Sequence, residues 1–328
     1  MNLLAYLCSL LKGIIYGSTV YFVGALTESV DTLDVLALRF LLSFAVMWLL
    51  KATGILKIKI SLYEVLSKGE RRPFIKYLLL AALFEPVLYM FFETIGISTS
   101  GDITTAVIIS LSPIFSCIAE MVFLKERATP LQMVFLGCGI IGAVYIAICS
   151  GGNEGGDSAA GIIFLFLAVI SGVLFGVFSR RSSKHFKPLE ITYTSSAMGA
   201  LIFNAVNLVR HLARGDIANY FKPYFSLENM IGFLFLGVAS TIVATLMNNY
   251  AVSRLRLSTN AAFGGVSTLV TIVIGVLCGE RLRYYHFIGL PLILIRMIGV
   301  STISIIKDRR REKQRTAEEV GNGKEKTA

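Results

Sequence analysis

The sequence predicts an all-α integral membrane protein of ten transmembrane helices, arranged as two inverted five-helix repeats. Three observations predict it. Of 328 residues, 55% are hydrophobic and only 16% charged, whereas a soluble domain carries about 25% charged residues; the mean hydropathy is +0.71. The apolar residues fall in ten windows, each near the roughly 20 residues a helix needs to cross the hydrocarbon layer. The two halves of the chain also repeat short patterns at matching places. Ten such helices consume about 200 residues, which leaves no room for a separate soluble domain.

Bounded by charges and by Gly or Pro, the spans run over 4–26, 33–50, 75–97, 103–124, 130–149, 160–179, 190–209, 230–252, 259–279 and 286–306. Each is expected to be a helix, because hydrocarbon offers backbone polar groups no partner outside a helix or a closed barrel. The runs are too long and continuous for barrel strands. The first exceeds the apolar core of about 7 to 15 residues found in a cleavable signal and has no small-x-small site after it, so it reads as a retained span.

The charges between the spans set the orientation. Lys51, Lys57, Lys59, Lys68, Arg71, Arg72 and Lys76 lie between the second and third spans, and Lys125 and Arg127 between the fourth and fifth. Arg180, Arg181, Lys184, Lys187, Arg254 and Arg256 follow on the same face, and the tail after Ile306 adds eight more. In total 23 Lys and Arg lie on this face against five on the other, so both termini are expected in the cytoplasm. The outer connections are acidic early on, with Glu28, Asp31, Asp34 and Asp102. The net charge of +10 is therefore topological, and no nucleic-acid partner is expected. The tail, 307–328, reads as disordered basic cytoplasm. Five cysteines without CxxC spacing indicate neither a disulfide framework nor a metal site. No cofactor is implied.

Dividing the chain at GGNEGGDSAA gives a first repeat, 1–150, and a second, 151–306. Gly13-Ile-Ile-Tyr16-Gly17 in the first span is echoed by Gly172-Val-Leu-Phe175-Gly176 in the sixth, and Glu126-Arg127 after the fourth by Glu280-Arg281 after the ninth. Thr104-Thr105-Ala106 and Ser258-Thr259-Asn260 precede the two Glu-Arg pairs by the same distance. Five spans per half is odd, so the second half runs through the membrane in the opposite sense, an arrangement that accompanies a midplane site between repeats. The GxxxG spacing alone has a plainer meaning, close packing of two helix backbones.

These residues resemble a family. The stretch from Thr104 to Ile146, with Ser110-Leu-Ser112-Pro113, Glu126-Arg127 and Thr129-Pro-Leu-Gln132, is similar to the fourth and fifth helices of an EamA domain in the drug/metabolite transporter superfamily. NNYAVSRLRLSTNAAFGGVSTLVTIVIGVLCGER resembles the eighth and ninth. Ser267 stands where the family usually has Pro, and Arg296 where it usually has Gly. The resemblance implies cytoplasmic termini and movement of small organic solutes, amino acid-like or drug-like, by alternating access through a central cavity. It leaves the solute, the direction and the oligomeric state unspecified.

Charges at membrane depth need a reason. Glu85 falls at the centre of the third span and Arg296 at the centre of the tenth, which makes them candidates for an ion pair. Glu85 thus has two readings: a protonatable carboxylate that couples protons to the solute or binds a cationic group, or half of a structural pair. Tyr89 lies one turn further on the same face. Glu93 and Glu120 are expected near the interfaces, Lys12 to snorkel toward the cytoplasmic headgroups, and Arg39 to turn its head outward. Tyr16, Ser18, Ser110, Ser112, Asn248, Asn249 and Asn260 complete a candidate polar pocket.

The expected partners are a small-molecule solute, the lipid bilayer and protons, and the expected location is the cell membrane, a bacterial inner membrane in the absence of any Asn-x-Ser/Thr sequon. No HExxH or GxSxG motif or midspan histidine supports an intramembrane enzyme. The alternative is a membrane receptor or scaffold without transport activity. The aromatic stretch Tyr220 to Phe225 and the basic segment Leu56 to Lys68 keep it open; both are expected to lie along the bilayer surface.

Overall fold

The computed structural model describes residues 3–58, 72–99, 108–109, 111–125, 129–149, 159–278, 287–289, 291–303 and 305–307. Among them every regular element is helical. Both Glu-Arg pairs, Thr104 to Ala106, Ser110, most of the glycine-rich connection and the tail from residue 308 fall outside the described residues.

In chain order the helices are α1 (Leu3–Thr27), α2 (Thr32–Ala52), α3 (Arg72–Ala82) and α4 (Tyr89–Thr99), the last two joined by a π-type segment, Leu83–Leu88. Next come α5 (Ser112–Phe123), α6 (Pro130–Cys149), α7 (Ala159–Ser182) and α8 (Pro188–Arg214). Two 3₁₀ turns lead into α9 (Leu227–Leu234), which continues through a second π segment, Phe235–Ala244, into α10 (Thr245–Arg254). α11 (Leu257–Ala262) and α12 (Gly264–Leu277) follow, and α13 occupies Phe287–Lys307. Among the described residues, seven segments are long and apolar enough to cross a membrane: α1, α2, Pro73–Glu93, α7, Leu227–Arg254, Leu257–Leu277 and α13. α5 and the first part of α6 are shorter apolar helices. The predicted span 190–209 is helical within α8 but is not among the seven; Thr192, Ser195, Ser196, Asn204 and Asn207 dilute its hydropathy.

Local chemistry sets the helix ends. Asp31 accepts the Leu33 N–H at 2.9 Å and caps α2. At the start of α8, Glu190 accepts the Lys187 N–H at 2.7 Å beside Pro188. Gly215, at φ 71°, closes the other end in the left-handed region.

The most extensive packings all join a helix before residue 150 to one after it: α2 with α8, α4 with α7 and α1 with α12. The halves are thus interleaved. Gly13 and Gly17 put the α1 backbone against α12, where a Cβ on Gly17 would stand 2.5 Å from the Ser267 carbonyl oxygen and 2.7 Å from Val270 Cβ. Their GxxxG spacing is a packing device.

Two surface assignments need correction. Tyr220 and Tyr224 turn inward, donating to Asn204 Oδ1 at 2.7 Å and to the Leu38 carbonyl at 2.6 Å, while Phe221 and Phe225 stay exposed. Tyrosine hydroxyls that reach buried acceptors let their rings join the core. Ile58 likewise packs with Met47 and Leu78 in the interior; residues 59–68 lie outside the described residues.

Candidate functional site

The polar centre is assembled around a break in a helix. Pro86 has no N–H to give to the Ala82 carbonyl, and Glu85 is extended there (φ −141°, ψ 121°) between α3 and α4. The Glu85 carboxylate, half-buried in mid-span, makes no hydrogen bond or ion pair among the described residues. It stands within electrostatic reach of Lys12, Arg39 and Glu93.

α1 supplies Lys12 and Tyr16, four residues apart on one face. Lys12 is buried, and its Nζ donates to Asn248 Oδ1 at 2.5 Å. Asn260 Nδ2 donates to the same oxygen at 2.9 Å, and Asn260 Oδ1 accepts from the Ser9 hydroxyl at 2.9 Å. Tyr16 meets the Thr245 hydroxyl at 3.5 Å. From α2, Arg39 gives Nε and Nη2 to Thr241 Oγ1 at 3.3 and 3.1 Å. Thr241 in turn donates to the Leu236 carbonyl five residues back, a contact that the π segment permits. Tyr89 donates to Glu93 Oε1 at 2.7 Å.

The structure therefore brings together Glu85, Tyr89, Tyr16, Asn248 and Asn260 from the sequence-derived set. The others lie elsewhere. Asn249, fully buried, accepts from Ser179 at 2.7 Å and donates to Thr192 at 3.0 Å, tying α10 to α7 and α8; one residue along a helix turns its side chain away from Asn248. Ser18 bonds its own helix at Ile14, and Ser112 opens α5 beside Pro113. Arg296 is buried against Gly139 of α6 and Gly265 of α12, and the charges acting on Glu85 are those of other residues.

Sequence reasoning misplaced four charges. Lys12 does not snorkel and Arg39 does not turn outward; both point inward because polar acceptors from the second half wait there. Glu93 belongs to the centre through Tyr89. Glu120 is fully buried: its carboxylate accepts from Arg256 Nη2 at 3.2 Å, Ser258 Oγ at 2.7 Å and Ser258 N–H at 3.1 Å. Arg256 also donates to Gln132 at 3.2 Å, joining α5 and α6 to the start of α11. The usable signal for Lys12 was its spacing from Tyr16, on a helix whose glycines must face protein.

A second charged cluster sits where α2 begins and α8 ends. Arg210 Nη1 meets Asp31 at 2.5 Å and Nη2 meets Asp34 at 2.9 Å. Burial alone would raise the Asp31 carboxyl, but the hydrogen bonds from Arg210 and Leu33 and the charges of Arg210 and Arg214 outweigh it and hold it below its ordinary range. Asn207 adds a bond to Asp34 at 2.8 Å.

Interleaved apolar helices around a buried, charged centre define a multi-pass membrane protein with an internal polar site. The comparisons narrow this. Residues 3–148 and 159–302 each match the EamA-like transporter family, and the chain belongs to that family, part of the drug/metabolite transporter superfamily. It is 31% identical over 308 residues to the uncharacterized transporter YcxC of Bacillus subtilis, covering 94% of this chain and 95% of that one. It is 24% identical over 222 residues to YyaM, an uncharacterized transporter of the same organism, covering 64% of this chain and 67% of that one. An uncharacterized transporter of Archaeoglobus fulgidus is 24% identical over 217 residues, 65% of this chain and 72% of that one. A solved structure described as "Crystal structure of protein" shares the fold, with a TM-score of 0.68 at 16% identity over 94% of this chain and 98% of the other. The family and its relatives make this a membrane transporter.

Proposed function

We propose that the protein is a secondary transporter that moves a small organic metabolite across the cell membrane by alternating access, coupled to protons through Glu85. The observation that carries this reading is the Glu85 carboxylate, set in a helix break at mid-span without a hydrogen-bond partner among the described residues. Buried ionisable groups without partners are costly and mark solute or ion pathways, and broken helices serve such sites in transporters. Tyr16, Tyr89, Asn248 and Asn260 complete the proposed pocket.

Ten spans in two inverted repeats, 1–150 and 151–306, with both termini and the 307–328 tail in the cytoplasm, belong to the same reading. The family domain is matched twice, each half carries five predicted spans, and the Lys/Arg asymmetry supports the orientation. Because the halves are interleaved, the bodies that rock would each contain helices of both repeats.

The test is solute counterflow in proteoliposomes with and without a pH gradient, comparing the wild type with Glu85→Gln. A gradient that accelerates wild-type uptake, and no longer does so in the folded variant, is expected. Equal turnover and equal pH dependence in the two proteins would sink the coupling role.

A further inference from the structure

Tyr77 stands near the start of α3, and two cations converge on its ring. Lys76 Nζ lies 5.1 Å from the ring centroid and the Arg181 guanidinium carbon 5.6 Å from it. Arg181 belongs to the last turn of α7, so the cationic pair bridges the ends of two packed helices. Its Nη2 also donates to the Phe123 carbonyl at 3.0 Å, which brings in the end of α5. The cluster lies at the end of the bundle that the proposed orientation turns to the cytoplasm.

Among the described residues no carboxylate stands within 4.0 Å of Lys76 or Arg181, and the Tyr77 hydroxyl has no hydrogen-bond partner. A cation on an exposed aromatic face gains about 0.5 to 1 kcal/mol and keeps its charge. Two like charges gathered on one ring repel, and an anion set among them relieves that repulsion. The Lys76 ammonium, the remaining Arg181 N–H groups and the Tyr77 hydroxyl are donors of the kind that hold a phosphate.

Depth says what carries that phosphate. Lys76 lies three residues inside the membrane-crossing segment Pro73–Glu93, and Arg181 closes another, α7. The surface beside them is apolar. Leu79, on the same face as Lys76 and one turn deeper, is 39% exposed, and Phe123, whose carbonyl Arg181 holds, is 44% exposed. Tyr77, Phe178 and Phe84 stack in a row below the cations. A soluble anion would meet the cations alone, whereas a phospholipid also meets exposed carbon for its acyl chains.

We propose that this cluster binds an anionic phospholipid, its phosphate among Lys76, Arg181 and the Tyr77 hydroxyl and its acyl chains along Leu79 and Phe123. Basic pockets between helix ends at the cytoplasmic boundary recognise such headgroups. The headgroup class follows from charge. A zwitterionic lipid would bring an ammonium to a cluster that already holds two cations; phosphatidylglycerol brings a phosphate and no cation. The bound lipid joins the ends of α3, α5 and α7, and this role does not depend on the transport reading.

The experiment takes the full chain, delipidated in detergent, and titrates it with short-chain phosphatidylglycerol or phosphatidylcholine while the melting temperature is followed. Phosphatidylglycerol is expected to act at concentrations about tenfold lower, which corresponds to about 1.4 kcal/mol. Lys76→Gln with Arg181→Gln should erase that preference. Lys57→Gln with Lys184→Gln, which removes two exposed charges from the same side of the membrane, should keep it. Tyr77→Phe retains the ring and should weaken phosphatidylglycerol binding by about threefold to tenfold. If the Lys76 and Arg181 double variant is not monodisperse, Lys76→Gln alone serves, since that side chain is exposed and holds no hydrogen bond among the described residues. Equal potency of the two lipids in the wild type overturns the proposal, as does a control pair that loses the preference as fully as the site pair. An equal rise with glycerol 3-phosphate also overturns it, by making the cluster a soluble-phosphate site.

Discussion

His211 Nε2 stands 2.8 Å from Asp34 Oδ1, while Nδ1 of the same ring stands 2.9 Å from Asp216 Oδ1. A ring nitrogen facing a carboxylate must donate, and a ring that donates from both nitrogens carries the positive charge. The pair ties the start of α2 to the end of α8, just beyond the predicted span, with Arg210 and Asn207 on the same aspartate and the Tyr220 ring edge-on at 5.2 Å.

This arrangement predicts a pH dependence of stability. The hydrogen bond to Asp34 leads, burial works against it, and the Asp34 charge and Asp216 add to it, raising His211 above the ordinary imidazole value. The stabilisation is fully present below about pH 6.5 and is lost as pH rises through the raised value in the folded protein. Asp31 acts in the opposite sense, since its depressed carboxyl loses its contribution only as pH falls through the acid range. Melting temperatures in detergent from about pH 5 to pH 9 are expected to fall toward the alkaline end in the wild type. The slope should flatten in His211→Gln; an unchanged slope would remove His211 as its source.

Arg256→Ala withdraws a guanidinium from the fully buried Glu120. A loss of about 3 to 5 kcal/mol is expected, read as a lower melting temperature. Glu120→Leu combined with Arg256→Met should recover a large part of it, because the double variant also removes the buried carboxylate that lost its guanidinium. Additive losses in the double variant would contradict the pairing.

The α1 packing face has its own control. Gly17→Val sets a branched side chain where even a Cβ would stand 2.7 Å from Val270 Cβ, and it should destabilise by at least about 1 to 3 kcal/mol or abolish assembly. Gly24→Ala meets nothing within 4 Å and should be neutral or slightly stabilising. Equal melting curves for the two variants would count against the close approach of α1 to α12.

Adjacent asparagines should separate stability from activity. Asn249→Ala strands buried hydroxyl partners on Ser179 and Thr192 and should cost about 1 to 3 kcal/mol. Asn248→Ala, which releases Lys12, should lower counterflow more than it lowers the melting temperature. The reverse order would place the solute site elsewhere.

The helices were legible because burial in lipid leaves a simple mark, long apolar runs cut by charge. Their partners were not. Lys12 and Arg39 sit in such runs, and hydropathy says how deep a charge lies without saying which way it faces. That direction is decided by acceptors more than two hundred residues away, Asn248 for Lys12 and Thr241 for Arg39. Glu85 was legible for a local reason, since a carboxylate at the centre of an apolar run is costly whatever surrounds it. Asn248 and Asn249 looked alike in sequence and diverge because neighbouring helical positions point to different surroundings.

Interleaving also bears on how the molecule is made. Lys12, Arg39, Glu85 and Glu93 all leave the ribosome within the first hundred residues, but Ser9 meets its partner 251 positions later. At about 5 to 20 residues per second, the first helix waits tens of seconds in the bilayer with a lysine and a glycine face unmatched. Insertion and orientation must therefore be settled by the flanking charges long before packing begins. The polar centre closes only when the late helices arrive, so a chain interrupted before Thr241 would own all four charges of the site and none of the acceptors that hold Lys12 and Arg39 in place.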